Sequence, residues 1–155
     1  MGRIYSLSFK DVAVSVAQDL FAVLCSSSVP IAIHSVTLTQ KTLTNWEAKN
    51  VSMRRVTATV TLGSGGSTPT PRPTNAGDAA AGGTYHANDT TVATSSGTIV
   101  DTHAEEWNFL NGLYYLPPPE DRPIIRVSEA FVVRLDTAPS AAMTCSGTLV
   151  FEELS

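Results

Sequence analysis

Residues 53–62 read MRRVTATVTL, and their alternation limits the fold more than anything else in the chain. Val56, Ala58, Val60 and Leu62 fall on one side, and Arg55, Thr57, Thr59 and Thr61 on the other. That two-residue period is the mark of a half-buried strand with one solvated or partner-facing side. Tyr5, Leu7 and Phe9 alternate with Ser6 and Ser8 in the same way. Residues 31–40 form a third such run, whose apolar phase changes between Ile33 and Val36, so a bulge is expected near His34 and Ser35. Shorter runs follow around Val92, at Ile99 and Val100, and over 105–109, 113–116, 124–127, 130–135 and 143–151, separated by Gly and Pro turns. Val12, Val14 and Val16 step like a strand, and the spacing of Leu20, Phe21 and Leu24 predicts one short helix after it. Residues 26–30 close that stretch as a turn, and residues 41–50 form a polar turn carrying Trp46.

The pattern predicts an all-β fold. It is a single-domain β-sandwich or jelly-roll-like barrel over 1–155, with long Gly/Pro loops and at most one short helix. Strands do not alternate with helices, which argues against a doubly wound sheet. At 155 residues the chain is long enough for one real core.

Charged residues make up only 15% of the chain, and Thr, Ser, Ala and Gly take their place. A surface so poor in charge suits a protein largely covered by other subunits. The net charge of −4 disfavours bulk attraction to nucleic acid. Residues 1–60 carry six basic and three acidic side chains, and residues 61–155 four and eleven, a polarity able to align copies head to tail. No run approaches the ~20 apolar residues of a membrane span, and the first residues do not read as a signal peptide. Cys25 and Cys145 fit no metal pattern and read as small buried apolar residues.

The sequence lacks a P-loop, a dinucleotide fingerprint and a G-x-S-x-G elbow. His103-Ala104-Glu105 has the H-x-E form of zinc deaminases without the P-C-x-x-C partner. A metal site built from His34, His86, His103 and Glu105 finds no support in their spacing, so no catalytic residue, metal or cofactor is assigned. Trp46 and Tyr85, beside polar loops, could form a sugar-stacking platform, although core packing is the better reading.

The remaining feature is GSGGSTPTPRPTNAGDAAAGG at 63–83. Pro69, Pro71 and Pro73 lie two apart, which stiffens the segment into extended geometry but does not match the spacing of a PxxP ligand. The expectation is an ordered arm spanning 63–84, held by a neighbouring subunit, whose deletion leaves the monomer folded. Pro69, Pro71, Arg72 and Pro73, with Tyr114, Tyr115, Pro117, Pro118 and Pro119 of the second rigid corner, are the candidate partner-binding residues.

Four stretches, RIYSLSFKDVAVSVAQDLFAVL, GSGGSTPTPRPTNAGDAAAGGT, LYYLPPPEDRP and SGTLVFEEL, give the chain a global resemblance to small virion proteins of tailed bacteriophages. The resemblance implies a capsid decoration (cement) protein that binds the major capsid protein lattice on the particle surface. It would be a homo-oligomer, with a trimer the first expectation, assembled in the host cytoplasm, with neither nucleic acid nor membrane as partner. A neck, tail or fibre-attachment component, or a carbohydrate- or receptor-binding module, is the alternative. An enzyme using the three histidines is the third and weakest reading.

Overall fold

The computed structural model describes residues 2–26, 28–42 and 46–154. They form two antiparallel sheets packed face to face. One contains β1 (Arg3–Val14), β3 (Ile31–Gln40), β6 (Arg72–Pro73), β10 (Leu113–Tyr115), β11 (Ile124–Ile125) and β13 (Met143–Glu153), in the order β10-β3-β13-β1-β6 with β11 also on β3. The other contains β2 (Gln18–Leu24), β4 (Ala48–Val56), β7 (Thr84–Asp89), β9 (Ile99–Asn108) and β12 (Ala130–Leu135), in the order β7-β2-β12-β4-β9. A two-stranded ribbon joins β5 (Val60–Thr61) to β8 (Thr94–Ser95).

The pairings are nested. β1 pairs with β13, β2 with β12, β3 with β10 and β4 with β9. The chain is thus one long hairpin rolled into two sheets, which is jelly-roll topology. Side chains alternate as that architecture requires: every second residue of β13 is buried from Met143 to Glu153. Phe9 of one sheet meets Phe21 of the other at 5.0 Å, and Phe151 is stacked between Tyr5 and Tyr85 at 5.4 and 5.2 Å. The bulge expected in β3 is present, with Val150 opposite Ser35, Phe151 opposite Ile33 and His34 the extra residue.

Three expectations are corrected. Residues 18–24 form strand β2, not a helix. The alternation is hidden there because both faces of β2 are covered, so it reads as an unbroken apolar run. The second cover comes from the tip of the rolled hairpin, residues 57–98. There Ala93 joins Ala22, Val56, Ala130 and Val132 in a small second core, with Val60 and Leu62 packed against it. The run at 53–62 is likewise not one strand. It breaks after Val56, where Ala58 and Thr59 take left-handed backbone (φ 53° and 39°), and Ser95 Oγ donates to the carbonyls of Thr57 and Ala58. Conversely, the short strands expected near 99 and 105 are one continuous strand, β9.

The segment at 63–83 belongs to that hairpin tip, and it is held by its own chain. The extended arm expected over 63–84 is thus packed on its own sandwich. Two buried carboxylates outside the tip, Asp19 and Glu153, and one within it, Asp89, accept its backbone N–H groups. Ala93 donates to Asp19 (2.6 Å), Gly66 to Asp89 (3.2 Å) and Gly82 to Glu153 (2.6 Å). Arg134 and Arg3 compensate the charges of Asp19 and Glu153 at 2.6 and 3.0 Å. Gly63 and Gly66 are required by close approach, since a Cβ there would lie 1.9 and 2.2 Å from the carbonyl oxygens of Thr91 and Ala87.

The prolines are explained by the pairing of β6 with β1. Thr74 N donates to Ile4 O, and Arg72 lies opposite Ser6. Backbone groups of alternate residues face alternate sides of a strand, so those of Pro73 and the preceding Pro71 face away from β1. Two-residue spacing thus keeps N–H donors where the sheet needs them and removes them from the outer edge. The ring of Pro71 is buried within this chain.

Candidate functional site at the open edge

The hairpin tip lies against β1 and β2. On the opposite side of the sandwich, β9 and β10 are outer strands. β10 runs into Leu116 and the three prolines, and the corner closes with a single 3-10 turn at Pro119–Asp121. Between this corner and β9 lies an open cleft of about 590 Å³, lined by Thr102, His103, Glu105, Tyr114, Tyr115, Leu116, Pro117, Pro118 and Asp121.

Strand periodicity places His103, Glu105 and Trp107 on one face of β9. Trp107 is buried, meets Phe109 edge-on at 5.0 Å and donates its indole N–H to Asn111 O, which fixes the end of the strand. His103 Nε2 lies 3.0 Å from Glu105 Oε2, and its ring lies against Tyr115 with centroids 4.7 Å apart. Burial pushes the Tyr115 hydroxyl above its ordinary value, and the Asp121 carboxylate adds to that. Asp121 makes no ion pair among the described residues. Tyr114 is 71% exposed and Leu116 76%. The cleft therefore offers aromatic surface beside two carboxylates and one histidine.

Of the candidate residues, the structure brings Tyr114, Tyr115, Pro117 and Pro118 into this cleft, with Pro119 opening the turn beside it. Arg72 and Pro73 lie on the opposite edge of the same sheet, and Pro69 and Pro71 precede them in the hairpin tip. Sequence reasoning weighs His103 and Glu105 only as parts of a metal site with His34 and His86, and it does not single out Asp121. The period-two spacing of His103, Glu105 and Trp107 was the signal that placed the first two on one face.

The three histidines do not converge. His34 pairs with Glu152 at 2.9 Å, His86 with Asp89 at 2.7 Å and His103 with Glu105 at 3.0 Å. His86 and His103 lie on opposite edges of the five-stranded sheet. Among the described residues, no group of three or more His, Cys, Asp or Glu side chains is placed to hold a metal ion. Trp46 is 78% exposed, but Tyr85 is buried on Phe151, so the two form no sugar platform. Cys25 and Cys145 are both buried. Among the described residues, no helix is long and apolar enough to cross a membrane.

No family model and no curated protein matches the chain. Among solved structures, a Gx-strain infectious bursal disease virus structure aligns over 99% of this chain at 12% identity and a TM-score of 0.25. A mutant VP2 protein of that virus, in derived T=1 particles, aligns at 12% identity and a TM-score of 0.24. This chain spans about two fifths of those longer chains, 41% and 40%.

Proposed function

We propose that the chain is a structural virion protein, a capsid decoration protein that binds the major capsid protein lattice of a tailed bacteriophage and bridges adjacent capsid subunits. One observation carries this reading. The rolled hairpin commits its long tip to covering one side of the sandwich and leaves a ten-residue edge strand and an aromatic cleft open on the other. Such an arrangement suits association with another protein. A low-charge jelly roll presented many times on a lattice needs only modest contacts, because avidity multiplies them. The similarity of the four sequence stretches to phage virion proteins supports the same reading, and a homotrimer is its simplest form.

Mass spectrometry and cryo-EM of purified particles test it. Density on the capsid lattice is the expected result, density at the neck or tail moves the protein to that position, and absence from the particle overturns the virion role. Tyr114, beside Glu105 and Asp121, favours a second reading as a sugar-binding module. A glycan array on which binding is lost in Tyr114→Ala would establish it in place of the first.

A further inference from the structure

The lateral edges of the two sheets are treated differently. Residues 64–67 cover β7, with Ser67 and Ala87 exchanging backbone hydrogen bonds at 2.9 Å. β6 turns proline towards the outside. Beyond β6, the edge of β1 is interrupted by a bulge at Lys10 and Asp11, where Asp11 takes a φ of 54°. β10 has three residues and ends in prolines. β9 has ten residues, contains no proline, and pairs among the described residues only with β4.

Its register fixes which groups are unpaired. Phe109 N donates to Glu47 O, so His103, Glu105 and Trp107 turn their backbone groups to β4. Ala104 and Glu106 turn theirs outward, as does Asn108, whose carbonyl accepts from Asn111 N at 3.0 Å. A bulge at Thr102, between the pairs Met53–His103 and Arg54–Asp101, bends the strand and limits the straight edge to residues 103–108. Glu106, on the face of β9 turned away from the cleft, is exposed and makes no ion pair among the described residues, and the same holds for Asp121 in the cleft.

We propose that this edge of β9 receives an extended, lysine- or arginine-rich segment of a protein partner as an added strand, with one of its cations lying in the Tyr114–Tyr115 cleft between Glu105 and Asp121. Strand addition supplies backbone hydrogen bonds, and the flanking pocket supplies side-chain selection. Charge complementarity decides the occupant. A second copy's β9 would set Glu105 and Glu106 against like charges, which is destabilising across a strand pair. A second copy's β6 lacks outward donors. Tyrosine faces and carboxylates together suit a guanidinium or ammonium group. The inference rests on the protein-binding reading above and names its partner's chemistry; it needs no particle to be tested.

The probe is a fluorescent synthetic peptide of alternating lysine and threonine, eight residues long, with its glutamate-for-lysine counterpart as control. Fluorescence anisotropy is expected to show salt-sensitive binding of the lysine peptide alone, with new hydrogen-exchange protection at the amides of Ala104 and Glu106. Ala104→Pro removes an outward N–H that β4 does not use, and Glu106→Lys reverses an exposed charge. Each is expected to weaken binding roughly tenfold, through the loss of one backbone hydrogen bond in the first case and one charge contact in the second. Glu106→Lys lies on the surface, so it keeps the test valid if the proline variant misfolds. Absence of binding at millimolar peptide, equal binding of the glutamate peptide, or unchanged affinity in Glu106→Lys would overturn the proposal, and particle association tested separately would stand or fall independently.

Discussion

The covered and open sides of the sandwich use the same kinds of residue to opposite ends. On the covered side, Asp19, Asp89 and Glu153 are buried and each accepts a backbone N–H from the hairpin tip. On the open side, Glu106 and Asp121 are exposed and make no ion pair among the described residues. Tyr5 and Tyr85 clasp Phe151 beneath the tip, whereas Tyr114 stands in solvent. Prolines seal the backbone of β6 and merely turn the chain after β10. The lesson is that composition alone does not separate structural from binding roles; the side of the sandwich does.

The largest test of this contrast is removal of residues 63–83 with a short glycine–serine bridge. It removes the Gly82 N–H that Glu153 accepts, leaving Arg3 as that carboxylate's partner, and uncovers Tyr5 and Tyr85, so stability is expected to drop on the order of 5 kcal/mol or more in urea unfolding. A folded, equally stable variant would show the tip to be dispensable.

Next is a matched pair. Asp19→Ala leaves Arg134 half-buried without its carboxylate and should cost about 3–5 kcal/mol. Asp121→Ala, on the exposed corner, should stay within about 0.5 kcal/mol of the parent. Equal costs for the two would break the contrast.

A smaller effect is expected at alkaline pH. Burial pushes the hydroxyls of Tyr5 and Tyr85 above the ordinary tyrosine value, and the Glu153 charge adds to it. Burial also pushes the Cys145 thiol up to about 12. Each group favours its neutral form in the fold, so its contribution is complete below its unfolded value and is lost as pH rises through the folded one. Stability should be level up to about pH 8.5 and then fall, by roughly 1.4 kcal/mol per pH unit for each titrating group. Denaturation midpoints measured across this range check it, and Tyr85→Phe should flatten the upper part of the slope.

The smallest change in stability, below about 1 kcal/mol, is expected for Pro71→Ala with Pro73→Ala. The restored outward donors should instead raise self-association, read by light scattering. Unchanged association would mean that the prolines do not guard that edge.

Much of the sandwich is legible from alternation, as in β1, β3 and β13, because one face of each meets the core and the other meets solvent. Legibility fails where that asymmetry fails. β2 is covered on both faces and mimics a helix in its apolar spacing. The break at Ala58 and Thr59 is invisible because neither residue signals left-handed backbone; Ser95, far along the chain, holds it. In the cleft, the tyrosines and prolines could be picked out as a rigid corner. Their meeting with His103 and Glu105 depends on two outer strands of different sheets being neighbours, which no local pattern encodes. The proline spacing was legible as stiffness, but its purpose required knowing which way each N–H points.

The nested pairing also has a consequence for how the chain is made. Arg3 lies opposite Glu153, so the first strand cannot find its full partner until the last one has left the ribosome. Rolled hairpins of this kind close their longest loops last and fold slowly, since ordering distant segments costs entropy before contacts repay it. During synthesis β1 and β3 wait with bare flanks on the side that β13 will later fill. A nascent chain in this condition exposes unpaired strand edges, and the rate at which translation delivers residues 143–153 would set how long that interval lasts.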